Sequence, residues 1–330
     1  MARVAQLFVE DESSPGTLIA LAADDVLDFD ADGTSITEGV GQNIKRRSTR
    51  SHLDRLAPLP PPGKFWNVVI SKEIKAGAVS TEGTGTDCHD LFLASGLSVT
   101  HVASTSDAFT LVDNPNAAAT QSACSVLLEE DGGNEYTAAG CNFGFEMSWS
   151  NDEAVNIVFT GIGKYAVPTT AALLGSVSTD YFTGSPMVVL DVAGNNPFQF
   201  HSYDMIVRSG SLSSGLSVEP RPHMGLSTSF NYAWPGLITR GADSHVSGSF
   251  EVEAVTETAF TAWARYAAAT AAAGQIIFSD GTQFMTIDLQ NVVFEAPQPT
   301  GTDLRLWTLD WTASRKVVAT ITPSLTITFT

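Results

Sequence analysis

Basic side chains are scarce in this sequence. Lys and Arg number 17 against 36 Asp and Glu, giving a formal net charge of -19 at pH 7. Nucleic-acid affinity is built largely from Lys and Arg on phosphate, so the charge argues against a general DNA binder. A protein that surrounds DNA without holding it is not excluded, because repulsion weakens sticking. Cysteine is sparse too: Cys88, Cys124 and Cys141 are odd in number and widely spaced. That argues against a disulfide framework or a zinc knuckle and for three buried thiols acting as small hydrophobes. No apolar run reaches the length of a membrane span; the Ala-rich stretch 267–273 is too short, and Gly274 follows it. Glu10-Asp11-Glu12 ends the first apolar stretch too early for a secretory signal. The expectation is a chain made in the cytoplasm that stays soluble or assembles there, with no membrane partner.

What is present is the composition of a folded protein, with 43% hydrophobic and 16% charged residues. A length of 330 residues suits two domains, each burying its own core. Alternation at a period of two dominates, in Phe65-Trp-Asn-Val-Val-Ile, Val155-Asn-Ile-Val-Phe, Leu304-Arg-Leu-Trp-Thr-Leu and Leu325-Thr-Ile-Thr-Phe-Thr. Such runs suit half-buried strands. Asp32-Gly33, Asp131-Gly132 and Asp280-Gly281 are turn signals between them. Two segments read as helix. One spans about Thr86 to Ser95, with Cys88, Leu91 and Phe92 on one side. The other spans about Thr256 to Ala271, with Phe260, Trp263 and Ala267 spaced to pack on a sheet and Gly274 as its stop. The fold class read from these patterns is mainly β.

The two halves align at an offset of 149 residues. Asp131-Gly132 then falls on Asp280-Gly281, Thr137 on Thr286, Asn142 on Asn291 and Phe145-Glu146 on Phe294-Glu295; Val155 and Ile157 fall on Leu304 and Leu306. A helix precedes this block in both halves, and the first carries an extra stretch near 98–122. The order of elements points to an internal duplication, with domains at 1–165 and 166–330 and a boundary in the Pro, Thr, Ser and Gly cluster from Tyr165 to Gly184. Charge is uneven. Ala76 to Gly163 holds twelve Asp or Glu and no Lys or Arg. Just upstream, Lys45, Arg46, Arg47, Arg50 and Arg55 crowd together, and Pro58-Leu-Pro-Pro-Pro-Gly-Lys64 follows. Those prolines cannot sit inside a sheet. The result is a long basic loop at 45–64, either simply solvated or an arm reaching an acidic neighbour such as another copy of the chain.

Candidate chemistry is weak. Asp28-Phe-Asp30-Ala-Asp32-Gly33 begins like a calcium loop, but its twelfth position is Gly39 rather than Glu, so an acidic hairpin turn is favoured. Asp87-Cys88-His89-Asp90 reads as a capped helix start with one buried Cys. The six His show no metal spacing, and no Gly-rich phosphate loop or nucleophile elbow appears. Neighbouring acids such as Glu129-Glu130 and Asp152-Glu153 fall on opposite strand faces and do not converge. No catalytic residue, metal or cofactor is expected. Trp149, Trp234, Trp263, Trp307 and Trp311 are either core or a sugar-binding platform.

In order along the chain stand Leu18-Ile-Ala-Leu-Ala-Ala-Asp-Asp, Arg46-Arg-Ser-Thr-Arg-Ser-His-Leu-Asp-Arg55, Pro60-Pro-Pro-Gly-Lys-Phe65 and Asp90-Leu-Phe-Leu-Ala-Ser-Gly-Leu97. Next come Glu130-Asp-Gly-Gly-Asn-Glu-Tyr-Thr-Ala-Ala-Gly-Cys-Asn-Phe-Gly-Phe145 and Val155-Asn-Ile-Val-Phe-Thr-Gly161. With this series the first half resembles the tail tube proteins of long-tailed bacteriophages; the second half joins through the internal alignment. The resemblance implies two tandem tail-tube-type β-sandwich domains, each flanked by one helix, whose sheets join those of neighbours into a continuous β-barrel ring. It implies a structural, non-enzymatic virion protein of the phage tail, assembled in the bacterial host cytoplasm. Stacked head to tail, its rings form a hollow tube through which genomic DNA passes without specific binding. A ring of six tube domains would need three such chains, a trimer with pseudo-sixfold symmetry. Tail terminator, tape measure and distal tail proteins are the implied partners. The loop with Lys45, Arg46, Arg47, Arg50, Arg55 and Lys64 matches the family's inter-ring contact by position and composition. A carbohydrate-binding β module and another ring-forming tail or baseplate component are the alternatives.

Overall fold

The computed structural model describes residues 4–22, 25–40, 64–117, 121–130, 133–151, 153–170, 182–189, 197–222, 232–239, 245–253, 260–300, 306–317 and 321–330. Strands β1 (Val4–Asp11), β2 (Ser35–Val40), β3 (Lys64–Glu73) and β4 (Lys75–Ala76) precede helix α1 (His89–Ala94). After it come β5 (Leu97–Val102), β6 (Ser106–Leu111), β7 (Cys124–Glu130), β8 (Asn134–Ser150) and β9 (Asn156–Tyr165). Four short pieces follow: β10 (Thr169–Thr170), β11 (Ser185–Pro186), β12 (Phe198–Phe200) and β13 (Tyr203–Asp204). Then come β14 (Val207–Ser213), β15 (Ser217–Pro222), β16 (Tyr232–Thr239), β17 (Val246–Glu253) and helix α2 (Ala262–Ala267). The chain closes with β18 (Ala272–Ser279), β19 (Phe284–Phe294), β20 (Gln298–Thr300), β21 (Leu306–Ala313), β22 (Lys316–Val317), β23 (Ile321–Thr322) and β24 (Leu325–Phe329).

The fold is mainly β, as the period-two runs require, and most strands join one large antiparallel sheet. Pairing in the first half runs β2–β3–β9–β8–β7–β1. In the second half it runs β14–β17–β21–β19–β18–β12. Each helix sits in the chain between the second and fifth strands of its own order. The hairpin β5–β6 is the extra stretch of the first half. The halves are also sewn together. Glu146–Ser150 of β8 pairs with Ser209–Ser213 of β14, and β24 lies between β6 and β19. Both pairings cross the expected boundary, and one buried cluster runs through both halves. Among the described residues the ladder stays open, with no closed barrel.

The two central hairpins share a β-bulge. Cys124↔Cys141 is followed by Val126↔Ala138 in one, and Ala272↔Val292 by Gly274↔Leu289 in the other. Gly140 (φ 62) and Asn291 (φ 45) occupy the bulges, in the left-handed region that Gly and Asn tolerate best. They superpose β8 on β19 at an offset of 151 residues, from Gly140 to Asn291, while β7 falls on β18 at 148, from Cys124 to Ala272. This corrects the alignment at 149: Phe143, not Phe145, is the counterpart of Phe294. Glu12 fixes the first bulge. Its buried carboxylate accepts the N–H of Gly140 at 2.7 Å, the hydroxyl of Ser125 at 2.8 Å and the N–H of Gly16. A Cβ on Gly140 would stand 3.0 Å from the Gly16 Cα, so a side chain there would have to push Gly16 aside as well as accept a left-handed backbone.

Aromatic side chains fill the core. Phe92 of α1 meets Phe109, Phe145 and Phe159 with ring centroids at 5.2, 5.6 and 5.7 Å. In the second half Phe200 meets Phe250 at 4.8 Å, and Phe250 meets Trp311 at 5.5 Å. Offset and edge-on pairs of this kind are favourable beyond their buried area. All three Cys are buried and free.

Several expectations need correction. Helix α1 begins at His89 and has no side-chain cap. The Asp87 carboxylate instead engages the buried Lys72 ammonium and the N–H of Lys75 at 3.3 Å. Burying Lys72 demands a counter-charge, and that demand outweighs a cap. Cys88, Leu91 and Phe92 are buried together as the spacing predicts. Helix α2 is shorter than the Ala run allows: Ala269 turns left-handed (φ 46), and the strand begins at Ala272. Phe260 is buried just before it, but Trp263 and Ala267 face outward, because Ala262 is the helical residue set against the core. Gly274 lies in β18 against the Phe200 ring and ends no helix. The Asp28–Gly33 turn is not a hairpin, since β1 pairs with β7 and β2 with β3. Asp30 accepts the N–H of Asp32, and Asp28 pairs with Lys75. Asp280-Gly281 does close a hairpin, β18–β19, with Gly281 at φ 98.

Candidate functional surface

Period-two alternation gives the sheet two chemical faces. In Glu146-Met-Ser-Trp-Ser150 of β8, Met147 and Trp149 are buried while Glu146 and Ser148 are exposed. In β14 Leu212 is buried and Ser211 exposed. In β17 and β21, Phe250, Val252, Leu309 and Trp311 turn inward. The registers then set the outward residues in rows across β9, β8, β14, β17 and β21. One row is Val158–Glu146–Ser213–Ser247–Thr312. The next is Asn156–Ser148–Ser211–Ser249–Asp310, and a third is Ser150–Ser209–Glu251–Thr308. The middle of this face is a concavity of about 470 Å³ lined by Glu146, Ser211, Ser213, Ser247, Asp310 and Glu295, among others.

The face is small, hydroxyl-rich and acidic. Glu146, Glu251 and Asp310 are its charges in these rows, and none of the rows contains Lys or Arg. Two cations stand at its margins. Lys164 lies at the far end of β9, and Arg208 is 3.8 Å from Glu253 at the start of β14. The surface spans the β8–β14 junction, so both halves contribute to it. Above it the hairpin β15–β16 lies over β8 and β9, with Asn116 donating to Ile238 O at 2.6 Å and accepting from Ile238 N–H at 2.9 Å. This hairpin is inserted between β14 and β17, the place at which residues 41–63 are inserted between β2 and β3.

Lys45, Arg46, Arg47, Arg50 and Arg55 lie outside the described residues. Lys64 opens β3 and is held by its own chain, 2.7 Å from Glu38 and 5.1 Å from the Tyr165 ring centre. The Glu38 hydrogen bond raises its ammonium pKa. Burial pushes the Cys88 thiol well above its ordinary value, the opposite of what a nucleophile needs. Among the described residues no group of three His, Cys, Asp or Glu is placed to hold a metal. Trp149 and Trp311 are core, and Trp307 sits on the same inward register. Trp263, the exposed one, is on α2. Sequence reasoning named no residue as belonging to this polar face. Its signal was present in the Ser-x-Ser alternation of β8, β14 and β17. No protein-family model matches the chain, and no curated protein matches it in sequence.

Proposed function

We propose that the chain is the repeating unit of a phage tail tube. In this reading each half is one tube domain, the two follow in tandem, and the polar face lines the bore. The observation that carries the reading is the cation-free Ser, Thr and acidic surface running unbroken across the junction of the halves. Fixed Lys or Arg there would hold phosphates; hydroxyls and carboxylates let a polyanion slide. The repeated strand order supports two domains per chain, and the open ladder supports further growth of the sheet into neighbours, because unpaired edges invite pairing. Three chains then supply six domains to a ring, and rings stack head to tail through the basic loop that holds Arg46, Arg47 and Arg50. DNA passes through; tail terminator, tape measure and distal tail proteins meet the tube along its length and ends; the site of action is the virion tail, assembled in the host cytoplasm. A carbohydrate-binding module gains no support from this face, whose rows carry no aromatic side chain.

Concentrating the purified protein and viewing it in negative stain tests the reading. Hollow rods are expected; a monomer at every concentration and salt overturns it. Reversing Arg46, Arg47 and Arg50 to Glu is expected to leave rings that do not stack, and tubes of normal length from that variant would refute the role of the loop.

A further inference from the structure

Among the pairings that join the two halves, the finished β8–β14 junction serves as a template for the contact between chains. At that junction Ser213 stands opposite Glu146 and Ser211 opposite Ser148. The repeat carries each partner onto a counterpart. Ser35 lies opposite Val69, and Val69 opposite Thr160, as Ser211 lies opposite Ser249, and Ser249 opposite Asp310. Strand β2 is therefore the counterpart of β14, with Thr37 at the place of Ser213. On the other side Glu146 lies opposite Val158, and Gln298 lies opposite Thr308, two residues before Asp310 as Val158 is two before Thr160. Strand β20 is therefore the counterpart of the end of β8, with Gln298 at the place of Glu146. Among the described residues β2 pairs only with β3, and β20 only with β21. The two edges that would form a second such junction are thus both open, and they belong to opposite halves.

We propose that β2 of one copy pairs antiparallel with β20 of the next, with Thr37 facing Gln298 and Ser35 facing Thr300. The partner is a second copy of this chain, and the contact is head-to-tail, so it closes a ring when the rotation per copy permits. This rests on the tube reading and specifies its lateral contact. Pro299 takes the place of Met147. It offers a carbonyl but no N–H, so the contact between copies holds one backbone bond fewer than the internal junction. Ser214 donates its N–H to Phe145 O at 3.0 Å. The neighbouring Ser213–Glu146 pair is by alternation a non-hydrogen-bonded one, with Cα atoms about 4.5 Å apart, within disulfide reach. Thr37 and Gln298 inherit that geometry.

The test is the double variant Thr37→Cys/Gln298→Cys, with Ser213→Cys/Glu146→Cys as the in-chain control. All four positions are solvent-accessible, and the three native thiols are buried and leave the assay clean. After mild oxidation of assembled protein, the double variant is expected to run on a non-reducing denaturing gel as a covalent three-chain species that collapses to monomer on reduction. The control is expected to close within single chains. Rods that form while the double variant stays uncross-linked overturn this edge pairing and leave the tube reading standing. Failure of any assembly, with no cross-link, overturns both.

Discussion

The β8–β14 junction and the open β2 edge occupy the same place in the two halves, yet one is finished and the other is not. At the junction Leu212 is buried beneath paired backbones, with Met147 opposite it. Its counterpart Ile36 is only half-buried, with Thr37 and Glu38 exposed beside it. Short polar residues on an exposed edge discourage random aggregation while leaving the backbone free for one matched partner. On the proposed edge pairing the difference defers part of the stability: the monomer holds what is already paired, and the remaining edge energy would be released only when a second copy pairs with β2.

Leu212→Ala should break the finished side, costing about 2–5 kcal/mol of monomer stability by urea unfolding. Ile36→Ala should cost about 1 kcal/mol or less in the monomer, since the side chain is half-exposed, but should raise the concentration needed for rods. Equal losses at the two positions would break the comparison. Glu146→Lys with Asp310→Lys sharpens it from the polar face. Stability should change by about 0.5 kcal/mol or less, while duplex DNA, which the parent is expected to ignore, should bind with an affinity that falls steeply with salt.

The smallest effect concerns pH. Burial, reinforced by Asp90 and Asp25, raises Glu10 from 4.5 to about 7, and burial with Asp90 raises Asp11 from 3.8 to about 6. Both carboxyls have folded-state values above their unfolded ones. Their contribution is therefore complete below about pH 4 and lost as pH rises through 6 to 7. Glu10→Gln should leave the melting temperature unchanged at pH 4 and raise it at pH 8, a stabilisation of under about 1 kcal/mol because the group is partly solvated.

The strand content, the three buried thiols and the turn at Asp280-Gly281 were legible in the sequence, because period-two burial and a left-handed Gly leave local marks. Helix lengths were not. The Ala run favours continuation, but Ala269 yields to the strand that must start at Ala272. The single offset of 149 fits neither strand of the hairpins, which are matched by their bulges rather than by their identities: β8 falls on β19 at 151 and β7 on β18 at 148. The polar face was half legible. Each Ser-x-Ser strand shows it, but the adjacency of β8 and β14, some sixty residues apart in the chain, is set by pairing that no local pattern encodes. The basic residues from Lys45 to Arg55 lie outside the described residues.

The most direct test is the rotational symmetry of an assembled ring, read from cryo-EM cross-sections of the rods together with the mass of a released ring. The account predicts threefold symmetry, three chains of 34.9 kDa, and six repeats of a polar, acidic inner wall. A ring of six whole chains, or an inner wall studded with Lys and Arg, would contradict it.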